Sequence, residues 1–321
     1  MTQDLIIGVD LGGTNVRSAA VDAHGRVSHN AKLSVWGSPS RDEVIDRIAR
    51  VIQQTMTGCG PERVRGIGIG TPGLVIADTG TVVFAPNLPD WVDLPLGPVL
   101  AERFHLPVAV ENDANAAAIG EQWTGAGVGV QSLICLTLGT GVGGAIILDG
   151  RIWRGANGAA AEIGHMTVDE HGVPCPCGNH GCLEQYASAP AVARQAREAL
   201  QAGRTSRLTE LCDGNLDTIT SALVAQAAME GDEVARQVMH RAGTLLGMAM
   251  ASLTNILNPE MFIIGGGMIN AGELLFEPIW SEVRSRSYTW SASILRIVPA
   301  TLGDDAGVIG AARNFMVEQG G

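Results

Sequence analysis

Residues 5–26 (LIIGVDLGGTNVRSAAVDAHGR) and 132–151 (SLICLTLGTGVGGAIILDGR) share one pattern: an apolar strand, a glycine turn, a second strand and an aspartate-bearing turn. At an offset of 127 residues Leu11, Gly12 and Asp22 recur as Leu138, Gly139 and Asp149, while Val16 and Ala19 correspond to Gly143 and Ile146. Glycine hairpins are common, so two of them can match by chance. A repeat that opens each half of one chain is more constraining, because internal repeats point to duplicated units. Duplicated lobes with facing glycine turns would leave a cleft, and paired turns let two backbones approach one polyphosphate. The length of 321 residues, beyond the usual size of a single core, agrees with two domains.

The segments between the repeats read as α/β. Val44, Ile45, Ile48, Val51 and Ile52 recur at helical spacing within Arg41–Met56, and Val64–Ile69 returns as a strand. The strand Pro107–Val110 leads into a helical run, Ala114–Trp123. From Ala189 to about Leu257 the pattern is helical, with a long helix beginning at Asp232. A strand Met261–Ile264, the triplet Gly265-Gly266-Gly267, a helix near Glu273–Ser285, a strand Leu295–Val298 and a closing helix Ala306–Val317 complete the chain. Alternating strands and helices predict α/β lobes, and no proline-rich linker separates them.

A net charge of −12 argues against nucleic acid as the main partner, since phosphate backbones need a basic surface. The start Met1-Thr2-Gln3-Asp4 lacks the cationic opening of a signal peptide. The most lipid-like run, Ala242–Leu257, is too short and too interrupted by Thr244, Ser252, Thr254 and Asn255 to span a membrane. The expectation is a cytoplasmic protein with no membrane partner. Cys175, Cys177 and Cys182 cluster within eight positions, while Cys59, Cys135 and Cys212 are scattered through apolar surroundings. That distribution predicts one metal site and three buried thiols, not a disulfide framework.

Three segments can carry chemistry. Asp10-Leu11-Gly12-Gly13-Thr14-Asn15 ends a buried strand on a carboxylate that could hold Mg²⁺, followed by N–H groups and a hydroxyl that could hold phosphate. It is no Walker loop, and a plain hairpin turn reads equally well. Gly139-Thr140-Gly141-Val142-Gly143-Gly144 has the same two readings. Glu111-Asn112-Asp113-Ala114-Asn115 places three polar groups at a strand-to-helix junction, where Asp113 could accept a hydroxyl proton and Asn112 orient a substrate. A helix N-cap is the competing role, slightly preferred on spacing alone.

These segments resemble, in order and over nearly the whole chain, the ROK family (repressors, open reading frames and kinases): DLGGTN at 10–15, GIGTPG at 68–73, APNL at 85–88, ENDAN at 111–115, LGTGVGGAII at 138–147, EIGH at 162–165, CPCGNHGCLE at 175–184 and IIGGG at 263–267. The resemblance implies a two-lobed actin-like (ribonuclease H-like) fold with duplicated lobes. The expected division is a small lobe of residues 1–115 plus a C-terminal helix at about 304–321, and a large lobe of 116–303 with a zinc loop. It implies Asp113 as catalytic base toward a sugar 6-hydroxyl, with Asn87, Asn112, Glu162, His165 and Glu184 as further sugar contacts. Such a site would discriminate through hydroxyls. Gly12, Gly13, Thr14, Gly139, Thr140 and Gly141 would hold phosphate, Gly265–Gly267 would flank the adenosine, and Asp10 would position the Mg²⁺ of Mg-ATP. His165, Cys175, Cys177 and Cys182 resemble structural Zn²⁺ ligands, a closed set leaving no position for water. His171 and His180, in the same loop, read as solvated turn residues.

APNLPDW and an intact ENDAN resemble the family's bacterial glucokinases, which favours glucose. N-acetylmannosamine, N-acetylglucosamine, mannose, fructose and allose stay open, as does a sugar binder without turnover. The family's repressors carry an N-terminal helix-turn-helix, whereas four residues precede the first strand here. The two-lobe arrangement predicts closure on glucose, and the resemblance further implies a homodimer or homotetramer. One residue departs from the pattern: Ala161 stands where family members commonly have glycine before the glutamate. Because alanine resists positive φ, this puts the placement of Glu162 in question.

Overall fold

The computed structural model describes residues 4–38, 40–85 and 88–319. The chain forms two compact units: Met1–Gln131 with Ala145–Ala160 and Ala300–Gly321, and Ser132–Gly144 with Ala161–Pro299.

In the first unit, β1 (Leu5–Leu11), β2 (Asn15–Val21), β3 (Val27–Ser34), β4 (Val64–Thr71) and β8 (Val108–Asn112) form a sheet ordered β3-β2-β1-β4-β8. β1 and β2 pair antiparallel, as do β2 and β3; β1, β4 and β8 run parallel. Side chains alternate across a strand, so Leu5, Ile7, Val9 and Leu11 enter the core covered by α1 (Arg41–Cys59), while Ile6 joins Ala312 and Phe315 on the opposite face. That opposite face is covered by α11 (Ala306–Gln319), which also packs on α3 (Asp113–Thr124). The fit is backbone to backbone: a Cβ at Gly8 would lie 1.9 Å from the Val308 carbonyl oxygen, and one at Gly310 only 1.6 Å from that of Ala116. Between β4 and β8 the chain builds a three-stranded antiparallel sheet, β5 (Leu74–Ile76), β6 (Thr81–Phe84) and β7 (Val92–Leu94), then α2 (Leu96–Phe104). This meander had no periodic signal in the sequence; its strands are three or four residues long and its anchor is the buried Trp91.

The second sheet is ordered β11-β10-β9-β12-β13, from β9 (Leu133–Leu138), β10 (Val142–Leu148), β11 (Arg151–Ile152), β12 (Met261–Gly265) and β13 (Arg296–Pro299). β9, β12 and β13 run parallel, and the division between the units passes within β10. The second unit also contains α4 (Glu184–Ala187), α5 (Ala189–Gln201), α6 (Leu208–Leu211), α7 (Ser221–Met229), α8 (Glu233–Leu257), α9 (Glu273–Arg286) and α10 (Thr289–Ile294). The long helix starts one residue after Asp232, whose carboxylate caps it by accepting from the Ala235 N–H at 2.8 Å.

Both copies of the repeat fold as the expected hairpins, β1–β2 and β9–β10. Relative to the expected division at 115, the first unit also holds residues 116–131 and 145–160. The physical reason is that α3 begins at Asp113 and is packed along its length on α11. Cys59, Cys135 and Cys212 are buried thiols, as expected. Among the described residues no helix is long and apolar enough to cross a membrane.

Candidate active site

In the first unit, Asp10 lies near the end of β1 and the chain then turns tightly, Gly12 N–H donating to the Asn15 carbonyl at 2.9 Å. The Thr14 carbonyl accepts from Val35 and Trp36 N–H, at 2.8 and 3.2 Å, so the turn is seated on the strand end behind it. Asp10, Gly12, Gly13, Thr14, Asn15, Arg17, Lys32 and Asp304 line a cavity of about 260 Å³. Arg17 and Lys32 belong to no motif in the sequence. They are cross-strand neighbours on β2 and β3, and Arg17 is held by the Asp304 carbonyl and by the Asp305 carboxylate, the latter at 2.8 Å. A cation pair beside a glycine turn suits a polyphosphate.

Burial raises the Asp10 carboxyl to about 6; Asp113 and Asp304 add to the rise and Arg17 opposes it. The first turn of α11 approaches so closely that a Cβ at Gly307 would lie 2.6 Å from the Asp10 carboxyl carbon. A half-buried carboxylate with acidic neighbours beside a phosphate-sized cavity is a suitable Mg²⁺ ligand.

Asp113 is the first residue of α3, and Asn112 is its N-cap, accepting from Ala114 and Asn115 N–H at 2.9 and 3.2 Å while its amide donates to the Gly73 carbonyl at 3.1 Å. The capping role and the junction role therefore coincide: the cap fixes the helix start that carries Asp113. Behind it Glu111, 2% exposed, accepts from Asn112 N–H, Asn115 Nδ2 and Arg154 Nε at 2.8, 2.9 and 2.7 Å. Arg154 also donates to Asn314 and Glu318 of α11. Asn87, an expected sugar contact, lies outside the described residues.

In the second unit, Gly139–Gly141 form the turn between β9 and β10, closed by Gly139 N–H donating to the Gly141 carbonyl at 3.0 Å. Glu184 reaches this turn, its Oε2 accepting from Val142 N–H at 3.0 Å. Gly265 is paired in register with Thr137, and Gly266 lies against Leu138, where a Cβ would sit 2.2 Å from the carbonyl oxygen. The glycine triplet thus lies beside the strand that delivers the turn.

Ala161 adopts φ 65°, the left-handed conformation that its alanine side chain disfavours, and the next residues form the short 3-10 turn Ile163–His165. Glu162 is exposed, with its carboxylate 3.9 Å from His165 Nε2. The other ring nitrogen, Nδ1, lies 3.7 Å from Cys175 Sγ. One side of the imidazole therefore faces the thiols and the other faces Glu162. The ligand atoms of His165, Cys175, Cys177 and Cys182 all lie within 4.8 Å of one another. Burial, then the neighbouring Cys175 and Cys177 sulfurs, push the Cys182 thiol up to about 12. Three crowded sulfurs with one imidazole fit a tetrahedral Zn²⁺, whose charge would reverse that cost of ionisation. His171 and His180 are exposed and stand outside the cluster.

The ROK family model matches residues 6–317. The chain is 38% identical to the glucokinase of Thermotoga maritima, over 98% of each chain. It is 40% identical to the glucokinase of Halalkalibacterium halodurans, over 99% of this chain and 96% of the relative. Among solved structures it is similar to a ROK family glucokinase of Streptomyces griseus in complex with glucose and AMPPNP, with a TM-score of 0.83, 39% identity and coverage of 97% and 98%. The α/β fold is that of the two-lobed actin-like sugar kinases, as the motifs implied. This chain belongs to the ROK family.

Proposed function

We propose that the protein is an ATP-dependent hexokinase that phosphorylates the 6-hydroxyl of glucose. The observation that carries the reading is the placement of Asp113 at the capped start of α3, within electrostatic reach of the half-buried Asp10 that borders the first glycine turn. In this mechanism Asp113 accepts the 6-hydroxyl proton as the oxygen attacks the γ-phosphorus, the bond to the β-phosphate bridging oxygen breaks, and ADP leaves. Gly12, Gly13, Thr14, Gly139, Thr140 and Gly141 offer backbone and hydroxyl donors to the phosphates, with Arg17 and Lys32 balancing charge. Asp10 would hold Mg²⁺, which when bound neutralises phosphate charge.

Asn87, Asn112, Glu162, His165 and Glu184 are the proposed hydroxyl contacts, and Gly265–Gly267 the proposed flank of the adenosine. His165, Cys175, Cys177 and Cys182 would hold Zn²⁺, which orders the loop and leaves no position for water. A cytoplasmic homodimer or homotetramer belongs to the same reading, and sedimentation tests the assembly.

The test is a coupled ADP-release assay with Mg-ATP against glucose, mannose, fructose, allose, N-acetylglucosamine and N-acetylmannosamine. The highest kcat/KM is expected for glucose; preference for another sugar replaces the substrate, and no turnover of any defeats the kinase reading. In the same assay Asp113→Ala is expected to lose about 10³-fold in kcat while glucose affinity changes little. Near-normal turnover would remove Asp113 as the base.

A further inference from the structure

We infer that Glu184 is a positioning residue for the phosphate turn as well as a sugar contact, so that the two half-sites of the second unit share one carboxylate. The inference rests on the kinase reading for the meaning of the turn, while its structural core stands on the hydrogen bonds alone. The turn Gly139–Val142 is tied at both shoulders to the segment that carries Glu184. Glu184 Oε2 accepts from Val142 N–H at 3.0 Å, and Ala189 N–H donates to the Gly139 carbonyl at 2.9 Å. That segment is itself fixed. Leu183 N–H donates to the Met166 carbonyl at 2.9 Å, next to His165, and Ser188 caps α5 by accepting from Ala191 N–H.

Gly141 has a matching role. A Cβ there would fall 2.4 Å from Glu184 Oε2, so the carboxylate lies where a side chain at 141 would otherwise sit. A charged acceptor makes a shorter and stronger bond to an amide than a neutral one does. The cost is a negative charge placed beside a turn meant for phosphate, which the bond to Val142 N–H offsets. With Oε2 committed to the turn, Oε1 is the oxygen that would meet a sugar hydroxyl, and a shift of the carboxylate toward either partner is felt by the other.

Two explanations of Glu184 then differ in sign. If it only contacts sugar, its removal leaves sugar-free nucleotide binding unchanged or tightens it by removing repulsion. If it holds the turn, its removal weakens nucleotide binding with no sugar present. The experiment is calorimetric titration of a non-hydrolysable Mg-ATP analogue into sugar-free wild type, Glu184→Ala and Glu184→Gln, with hydrogen exchange read over residues 139–144. Glu184→Ala is expected to bind about tenfold more weakly and to exchange faster over the turn, whereas Glu184→Gln, which keeps an acceptor, stays within about twofold.

Equal or tighter binding by Glu184→Ala, with unchanged exchange at the turn, overturns the inference. If wild type takes up no nucleotide, the kinase reading fails, and the exchange comparison still decides whether Glu184 holds the turn. Should Glu184→Ala fail to fold, Gly141→Ala gives the reciprocal test by displacing the carboxylate. It is expected to raise the KM for the sugar substrate several-fold, and an unchanged KM counts against the coupling.

Discussion

Ala161 shows how a single residue can keep a conformation that its side chain opposes. Its backbone is left-handed at φ 65°, and its carbonyl oxygen lies where a Cβ on Gly144 would be, 2.4 Å away. Close packing thus fixes the path into Glu162 despite the alanine. Left-handed backbone costs an L-residue about 1–2 kcal/mol, part of which glycine returns as unfolded-state entropy. Ala161→Gly is therefore expected to stabilise the protein by about 0.5–1 kcal/mol in denaturant unfolding, with sugar KM unchanged. Destabilisation would show that the strain is relieved elsewhere.

Asp10 carries a different cost, with a sign that can be read from pH. Its carboxyl is raised from 3.8 to about 6 in the fold, chiefly by burial and then by Asp113. A raised pKa means that the folded state binds the proton more tightly, so this contribution to stability is fully present below about pH 4 and is lost as pH rises through about 6. In Mg²⁺-free buffer Asp10→Asn is expected to match wild type near pH 4 and to exceed it above pH 7, by at most about 3 kcal/mol. A difference in Tm that is flat across that range would refute the assignment.

Among elements, the junction of β8 and α3 depends on a partner from elsewhere in the chain. Arg154, partly exposed, pairs with the buried Glu111 at 2.7 Å and bridges to Asn314 and Glu318 on α11. Leaving a buried carboxylate without its cation is costly, and Glu111 sits one residue before the cap of the helix that presents Asp113. Arg154→Ala is expected to lose about 2–3 kcal/mol of stability and also to lower kcat. Normal kcat in the folded variant would show that the pair serves stability alone. ENDAN marks this junction in the sequence both as a polar cluster and as a helix cap. Arg154 was not legible, since it comes from a segment 43 residues away and repeats no period or motif. The same holds for Arg17 and Lys32, ordinary strand residues until pairing makes them neighbours.

Over the whole molecule, apolar packing does not cover every segment equally. The first unit has an extended apolar core from β1, β4 and α1, whereas the loop 165–182 in the second gathers its thiols and imidazole with little apolar cover, several of its residues being exposed. One equivalent of zinc per chain is expected by elemental analysis. Strong chelation is expected to speed hydrogen exchange over residues 161–190 while the sheet β3-β2-β1-β4-β8 stays protected, with loss of activity. Metal-free protein with full activity would exclude the zinc site.

The sequence by itself determined the duplicated strand–turn–strand units, the helices with a clear 3.6-residue period, the cysteine cluster and the family, because these are written in local spacing and short motifs. Only the tertiary structure decided the seat of α11 against Gly8 and Gly310, the left-handed Ala161, the Glu111–Arg154 pair and the bond from Glu184 to the turn at Gly139–Val142. Each of these depends on residues far apart in sequence being pressed within hydrogen-bonding or van der Waals distance, and local spacing carries no record of that.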